Sequence, residues 1–224
     1  PINISGCDIV PESCAKLLGF YIDSDISMTT QISRTVSSCF FQLRQIKAIR
    51  KNLPLDVAKS LVNAFVISRL DYCNGLYAHL QTTQLDRLQS VLNAAARLLF
   101  KTSRYTSLTP LLKELHWLRI PERVQYKLCV LVFKALHGMA PTYIMELCQS
   151  VSTLERRSTL RSSTHNALLI PTRTHRNTKF GDRAFYTAGP AAWNSLPTSI
   201  QLCQSLDNFK RQLKTHFFGK SFPQ

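Results

Sequence analysis

Two-metal phosphoryl chemistry needs clustered carboxylates to hold Mg²⁺, and this sequence offers one close pair, Asp23 and Asp25. The pair follows an apolar run, where it could serve a metal. Asp-Ser-Asp at the end of a strand is also ordinary turn and cap chemistry, and it is read that way here. The histidines, His79, His116, His137, His165, His175 and His216, lack metal-ligand spacing. His116 and His137 flank helix ends, where an imidazole usually bonds locally. There is no Gly-rich phosphate loop, no G-x-S-x-G and no H-E-x-x-H. The seven cysteines (Cys7, Cys14, Cys39, Cys73, Cys129, Cys148, Cys203) include no C-x-x-C. They read as buried free thiols in a reducing compartment.

The cations carry a stronger signal. The chain has 28 Lys+Arg against 13 Asp+Glu in 224 residues, a net charge of +15. That excess implies a polyanionic partner or an acidic surface and says nothing about fold. Residues 1–150 carry 17 basic and 10 acidic groups, net +7; residues 151–224 carry 11 and 3, net +8, and so hold the denser charge. Arg44, Lys47 and Lys51 are spaced three and four apart, as one helical face requires. Arg97, Lys101 and Arg104 decorate a later helix, and Arg156, Arg157, Arg161, Arg173, Arg176, Lys179 and Arg183 crowd a Ser/Thr-rich stretch. Each can neutralise a phosphate and release a counterion. The competing reading is that any helical bundle needs solvated charges. Ser68 to Gly75 places Arg69, Asp71, Tyr72 and Asn74 at an otherwise apolar helix end. It reads as a polar network, with Asp71 paired to Arg69 or to a neighbouring helix.

The elements that must position these groups follow from periodicity. A composition 45% hydrophobic, with 7 Gly and 10 Pro, excludes a disordered or collagen-like chain. No apolar run approaches the ~20 residues of a membrane span. Residues 2–22 alternate and turn at Gly6 as paired strands do, and Leu17 to Ile22 is rich in aromatic and β-branched groups. A lone hairpin is barely stable, so these strands are expected to belong to a larger sheet that this chain does not contain. From Thr29 the period is helical, with Ile32, Val36, Cys39, Leu43 and Ile46 in one stripe. Pro54 starts a second helix to about Leu76, and Thr82 or Thr83 caps a third. Pro110 opens a short helix over 111–115. Pro121 opens a long one to His137 whose run 128–133 is apolar all round and hence central. Pro141 starts another to Cys148. Residues 150–183 read as a basic loop with one strand near 168–170. A short helix over 189–197 turns Trp193 inward, and Ser205 caps a last helix with Leu206, Phe209, Leu213 and Phe217 on one stripe. The expected fold is mainly α: a β element over 1–28, a helical bundle over 29–149 and an irregular basic extension over 150–224.

Several runs, in order, give the chain a family likeness. They are Lys16 to Ile22; Ser68 to Asn74; Leu88-Gln89 with Asn93 to Arg97; Leu115 to Leu118; Ala140 to Tyr143; Leu160 to Ser163; Trp193 to Pro197; and Phe209 to Lys214. Together they resemble the C-terminal end of non-LTR (LINE-type) retrotransposon reverse transcriptases. The resemblance implies that Leu18, Gly19 and Phe20 belong to a primer-grip-like strand pair, that residues 29–104 are a thumb lying along a primer–template duplex, and that 150–224 hold template RNA or target DNA. It places the polymerase aspartates, their Mg²⁺ and any endonuclease domain upstream. No x-x-Asp-Asp motif occurs here, so the chain is expected to be non-catalytic and to need no cofactor of its own. The start at Pro1, without an initiator Met or leader, reads as a fragment. The expected partners are RNA and DNA, bound without sequence preference, and the upstream fingers and palm of the same polyprotein, with no membrane. The expected location is intracellular, in nucleus and cytoplasm. The alternative is a helical protein-interaction module, or a co-opted remnant, with no nucleic-acid role.

Overall fold

Short alternating runs broken by Gly6 and Gly19 fold into two tight hairpins at the start of the chain. In this computed structural model, residues 2–4, 6–10, 12–151, 167–171 and 181–223 are described. Strand β1 (Ile2–Ile4) pairs antiparallel with β2 (Cys7–Ile9), and β3 (Cys14–Leu17) with β4 (Phe20–Asp23). Leu17 faces Phe20, so Leu18-Gly19 is a two-residue turn, and both have positive φ, 49° and 83°. That is the primed turn whose twist suits a hairpin. Among the described residues each hairpin is a two-stranded sheet by itself. Helices back β4 instead. Phe20 is buried with its ring 6.3 Å from that of Tyr77, the Tyr21 N–H donates to Gln31 Oε1 at 3.0 Å, and the Tyr72 hydroxyl donates to the Leu18 carbonyl at 2.5 Å.

The rest is helical, and the fold is mainly α with a small N-terminal β element. Helix α1 (Thr29–Ile49) buries Ile32, Cys39, Leu43 and Ile46, the stripe set by its 3.6-residue period. Its N-terminus is capped from a distance. Met28 supplies no side-chain cap, and Asp23 Oδ2 at the end of β4 accepts from the Thr30 N–H at 3.3 Å and the Ser27 hydroxyl at 3.0 Å. Asp25 Oδ1 accepts from the Ser27 N–H. The Asp23/Asp25 pair thus does turn and cap chemistry. A 3₁₀ turn, Arg50–Asn52, leads to α2 (Leu55–Val62), a π segment (Asn63–Ile67) and α3 (Ser68–Asp71). The expected continuous helix to Leu76 therefore stops at Tyr72. Cys73 is left-handed, and Asn74–Tyr77 form a 3₁₀ turn.

Helix α4 (Thr82–Phe100) starts after Gln81, not after a threonine cap, and buries Leu88, Val91, Leu92, Ala95, Ala96 and Leu99. Helix α5 (Leu108–Glu114) begins before Pro110, which sits third in it. Helix α6 (Ile120–Leu136) has Pro121 in its first turn and ends at left-handed Gly138. Helix α7 (Thr142–Met145) is shorter than Pro141 to Cys148 suggested. The strand expected near residue 168 is a single bridge, Ser150 to Leu168. Helix α8 (Phe185–Asn194) carries Pro190 inside it, α9 spans Thr198–Gln201, and α10 (Leu206–Ser221) is capped by Ser205, whose hydroxyl accepts from the Asn208 N–H.

Two buried clusters meet at α6. Its Val124 and Leu128 pack with α1, α2 and α4, while Cys129, Val132 and Phe133 pack with Trp193, Phe209, Leu213 and Phe217 of the last helices. The all-round apolar run is why both clusters can share one helix.

Candidate nucleic-acid interface

Helix α1 contains three cations, Arg34, Arg44 and Lys47, and no Asp or Glu. Arg44, Lys47 and Lys51 are exposed, and none forms an ion pair with the described residues. Like charges three and four apart cost a helix roughly 0.2–0.5 kcal/mol each. A cation in or just past the last turn regains part of that from the helix dipole, which accounts for Lys47 and, in the 3₁₀ turn that follows, Lys51, but not for Arg34 near the N-terminus. At about 100° per residue, Arg34, Ser37, Phe41, Arg44, Ala48 and Lys51 run down one exposed side. That row extends about 25 Å at 1.5 Å per residue. Phe41 is 50% exposed in the middle of it.

The upper end of the row opens into a groove of about 700 Å³ lined by Tyr21, Thr29, Thr30, Ser33, Arg34, Ser37 and Ser38. The Arg34 guanidinium lies 4.2 Å from the centre of the Tyr21 ring, with Lys16 Nζ 5.6 Å from the same ring. Stacking holds Arg34 in place without a carboxylate, so its charge is not neutralised. Arg69 donates to Ser38 Oγ at 2.6 Å and Arg87 to Ser33 Oγ at 2.9 Å. Four cations and several hydroxyls therefore edge a groove that no carboxylate lines. Hydroxyl and guanidinium donors are what a phosphate backbone accepts from. Sequence reasoning did not single out Arg34, and it read Arg69 as part of a polar network and Arg87 as a cation on a later helix, neither as part of this groove. The absence of acids from α1 was the available signal.

The lower end is fixed by Arg50, which is buried. Its guanidinium donates to the carbonyls of Leu53 (2.8 Å), Leu98 (3.3 Å) and Leu99 (2.5 Å). This staple joins the C-terminus of α1 to that of α4, so Lys51 and Lys101 flank one junction. Lys101 is exposed at the left-handed end of α4; Arg97 is half-buried, with Nε unpartnered; Arg104 lies against the Tyr105 ring and donates to its hydroxyl at 2.6 Å. The hairpin tip presents Leu18, 86% exposed, beside Gly19, whereas Phe20 points into the core.

Arg156, Arg157, Arg161, Arg173, Arg176 and Lys179 lie outside the described residues. Arg183 is half-buried and donates to the Ile26 carbonyl at 2.5 Å, so this arginine makes an internal contact with the loop that enters α1. Burial pushes its pKa down, against the pull of Asp25. The Ser68 to Asn74 network has Asp71 paired with Arg123 of α6 at 2.6 Å, the neighbouring-helix alternative, while Arg69 goes to Ser38.

All seven cysteines are free. Cys39, Cys129, Cys148 and Cys203 are buried, whereas Cys7 is exposed and Cys14 and Cys73 are half-buried, so the expectation of burial fails for those three. Burial pushes the Cys39 thiol up to about 11 and that of Cys129 to about 12, which keeps both protonated and inert. His137 Nδ1 lies 2.8 Å from the Phe133 carbonyl and its ring stacks on Phe133, the local role expected of it. Among the described residues no three His, Cys, Asp or Glu side chains cluster as a metal site, and no helix is long and apolar enough to cross a membrane.

Fold and site together define a mainly α protein whose cationic face beside a β-hairpin has no ion pair among the described residues. No protein-family model matches the chain, and no curated protein or solved structure matches it either.

Proposed function

We propose that this chain is the thumb-like C-terminal region of a non-LTR (LINE-type) reverse transcriptase, holding a primer–template duplex through its phosphates without catalysing any step. The observation that supports this reading best is the acid-free α1, whose cations, continued by Lys51 in the following 3₁₀ turn, run from the Arg34–Tyr21 groove. A face of that kind grips a duplex by its backbone and reads no sequence. A duplex carries one negative charge per ~1.7 Å of axis, so a row of about 25 Å passes many phosphates. Tyr21 of the same hairpin lines this groove, and the resemblance would make the Leu18-Gly19 turn of that hairpin part of a primer grip. The described residues hold no donor set for Mg²⁺, so no metal step is assigned to them. By the resemblance, the carboxylates and their metal belong to upstream fingers and palm, which would be this chain's protein partner.

The test is a titration of the full chain with an RNA–DNA hybrid across a range of salt. Binding that weakens linearly on a log–log plot, equally for hybrids of unrelated sequence, supports the proposal. Absence of binding at low salt, or binding indifferent to salt, overturns it.

A further inference from the structure

The Ser68 to Asn74 network borders a cleft to which the duplex-holding face assigns no role. It has a volume of about 440 Å³ and lies between α3, the loop before α6, α6 itself and α10. Clefts of about 300–1,000 Å³ are the size that holds small ligands.

Its walls are chemically asymmetric. Asp71 is consumed by Arg123, whose Nη1 lies 2.8 and 2.6 Å from the two carboxylate oxygens, and Arg123 Nε donates to the Leu118 carbonyl at 3.1 Å. That pair is internally neutral. Lys127 and Lys214, which have no acid partner among the described residues, therefore leave the cleft net positive.

Asn74 also borders the cleft but is only 5% exposed, and its Nδ2 donates to Asp71 Oδ1 at 3.3 Å. The carboxylate can only accept, so the amide cannot be flipped. This fixes Oδ1 as the free end of the amide, and it is buried with no donor. An orphaned buried acceptor costs free energy, and this one is closed off from the cleft, so the ligand is chosen by the other walls.

A ligand for this cleft must therefore carry an anion for the lysines, with a flat or apolar part to lie among His116, Trp117 and Tyr126. We infer that the cleft takes one unpaired nucleotide at the end of a bound strand: its phosphate between Lys127 and Lys214 and its base against His116, Trp117 and Tyr126. The choice of a nucleotide among phosphate ligands rests on the nucleic-acid reading above. The cleft itself does not involve the α1 row.

The test uses the full chain, four probes and the double variant Lys127→Ala/Lys214→Ala. The probes are a blunt RNA–DNA hybrid, the same hybrid with a four-nucleotide single-stranded tail, that hybrid with an abasic tail, and a free RNA tetranucleotide. The tailed hybrid should bind roughly tenfold tighter than the blunt one, within the range that stacking of one base contributes. The double variant should lose that advantage yet bind the blunt hybrid as before, and the abasic tail should lose most of it. Equal affinity of the intact chain for blunt and tailed hybrids overturns the inference, as does a full advantage for the abasic tail or one that survives in the double variant. Failure to bind the blunt hybrid sinks the α1 reading alone. In that case tetranucleotide binding that depends on Lys127 and Lys214 sustains the cleft, and its absence overturns it.

Discussion

Arg50 is buried with no carboxylate beside it, and its charge is solvated by three carbonyl oxygens instead. Two of those carbonyls lie at the C-terminal end of α4, where a helix leaves its last C=O groups unpaired and its dipole is negative. Arg50→Met keeps an unbranched apolar stem and removes every donor. Stranding buried carbonyls costs about 1–3 kcal/mol per group, so the variant should lose about 3 kcal/mol in urea unfolding, while Arg44→Ala should lose almost nothing. Asp23 gives a pH signature of the same kind. Burial pushes its carboxyl up, but hydrogen bonds from Thr30, Ser27 and Cys14 outweigh that and hold it below its ordinary value of 3.8. The unfolded chain therefore takes up the proton first. The stabilisation is complete above pH 3.8 and drains away as pH falls below it. Asp23→Ala should cost about 1 kcal/mol near neutrality, the worth of a cap, and its unfolding midpoint should depend less on pH between 5 and 3 than that of the unaltered chain. The sequence reading identified Asp23 as cap material. It could not show Arg50 to be internal, because an arginine at the end of a helix looks like any solvated cation until the carbonyls of a second helix are brought to it.

At the scale of the element, α1 binds two unlike regions together. Its buried stripe was plain in the spacing of Ile32, Val36, Cys39, Leu43 and Ile46. Arg44, Lys47 and Lys51 were equally plain, because a single helix places them together whatever surrounds it. Arg34 escaped notice because its partner is Tyr21, on a strand before the helix, and no period connects the two. The second helix shows the reverse failure. Its start at Pro54 was legible, but its break at Tyr72 was not. No proline or glycine marks the break, and Cys73 is left-handed with a side chain that pays for that conformation. Asp71, just before the break, is tied to Arg123 of α6, a contact made only in the folded molecule. The cationic row makes a graded prediction. Arg44→Ala with Lys47→Ala should lower the slope of log K against log salt by up to ~2, and adding Arg34→Ala by up to ~3, one for each phosphate contact removed. Because these side chains are exposed or stacked on the surface, the melting temperature should hold. An unchanged slope in the triple variant would remove α1 from the interface.

Across the whole molecule, the boundary drawn from composition at residue 150 does not coincide with a boundary in the core. The basic stretch that suggested it lies largely outside the described residues, but the helices that follow pack on α6. Trp193 is 1% exposed, its ring 5.7 Å from Phe209, and Phe209 stacks at 4.3 Å on Phe133 of α6. Trp193→Ala should therefore cost roughly 3–5 kcal/mol, as large-to-small changes in a core do. The two tryptophans of the chain turn this into a test of unity, because Trp117 belongs to the cluster around α1 and α4 and Trp193 to the cluster of the last helices. Trp193→Phe leaves Trp117 as the fluorescent reporter, and Trp117→Phe leaves Trp193. If α6 couples the clusters, each variant should unfold in urea with a fluorescence midpoint equal to its own midpoint by far-UV circular dichroism, the signature of a single cooperative transition. Far-UV dichroism reports all the helices at once, so a cluster melting alone would separate the two midpoints in at least one variant. That outcome would restore residue 150 as a true division and make α6 the property of one side only.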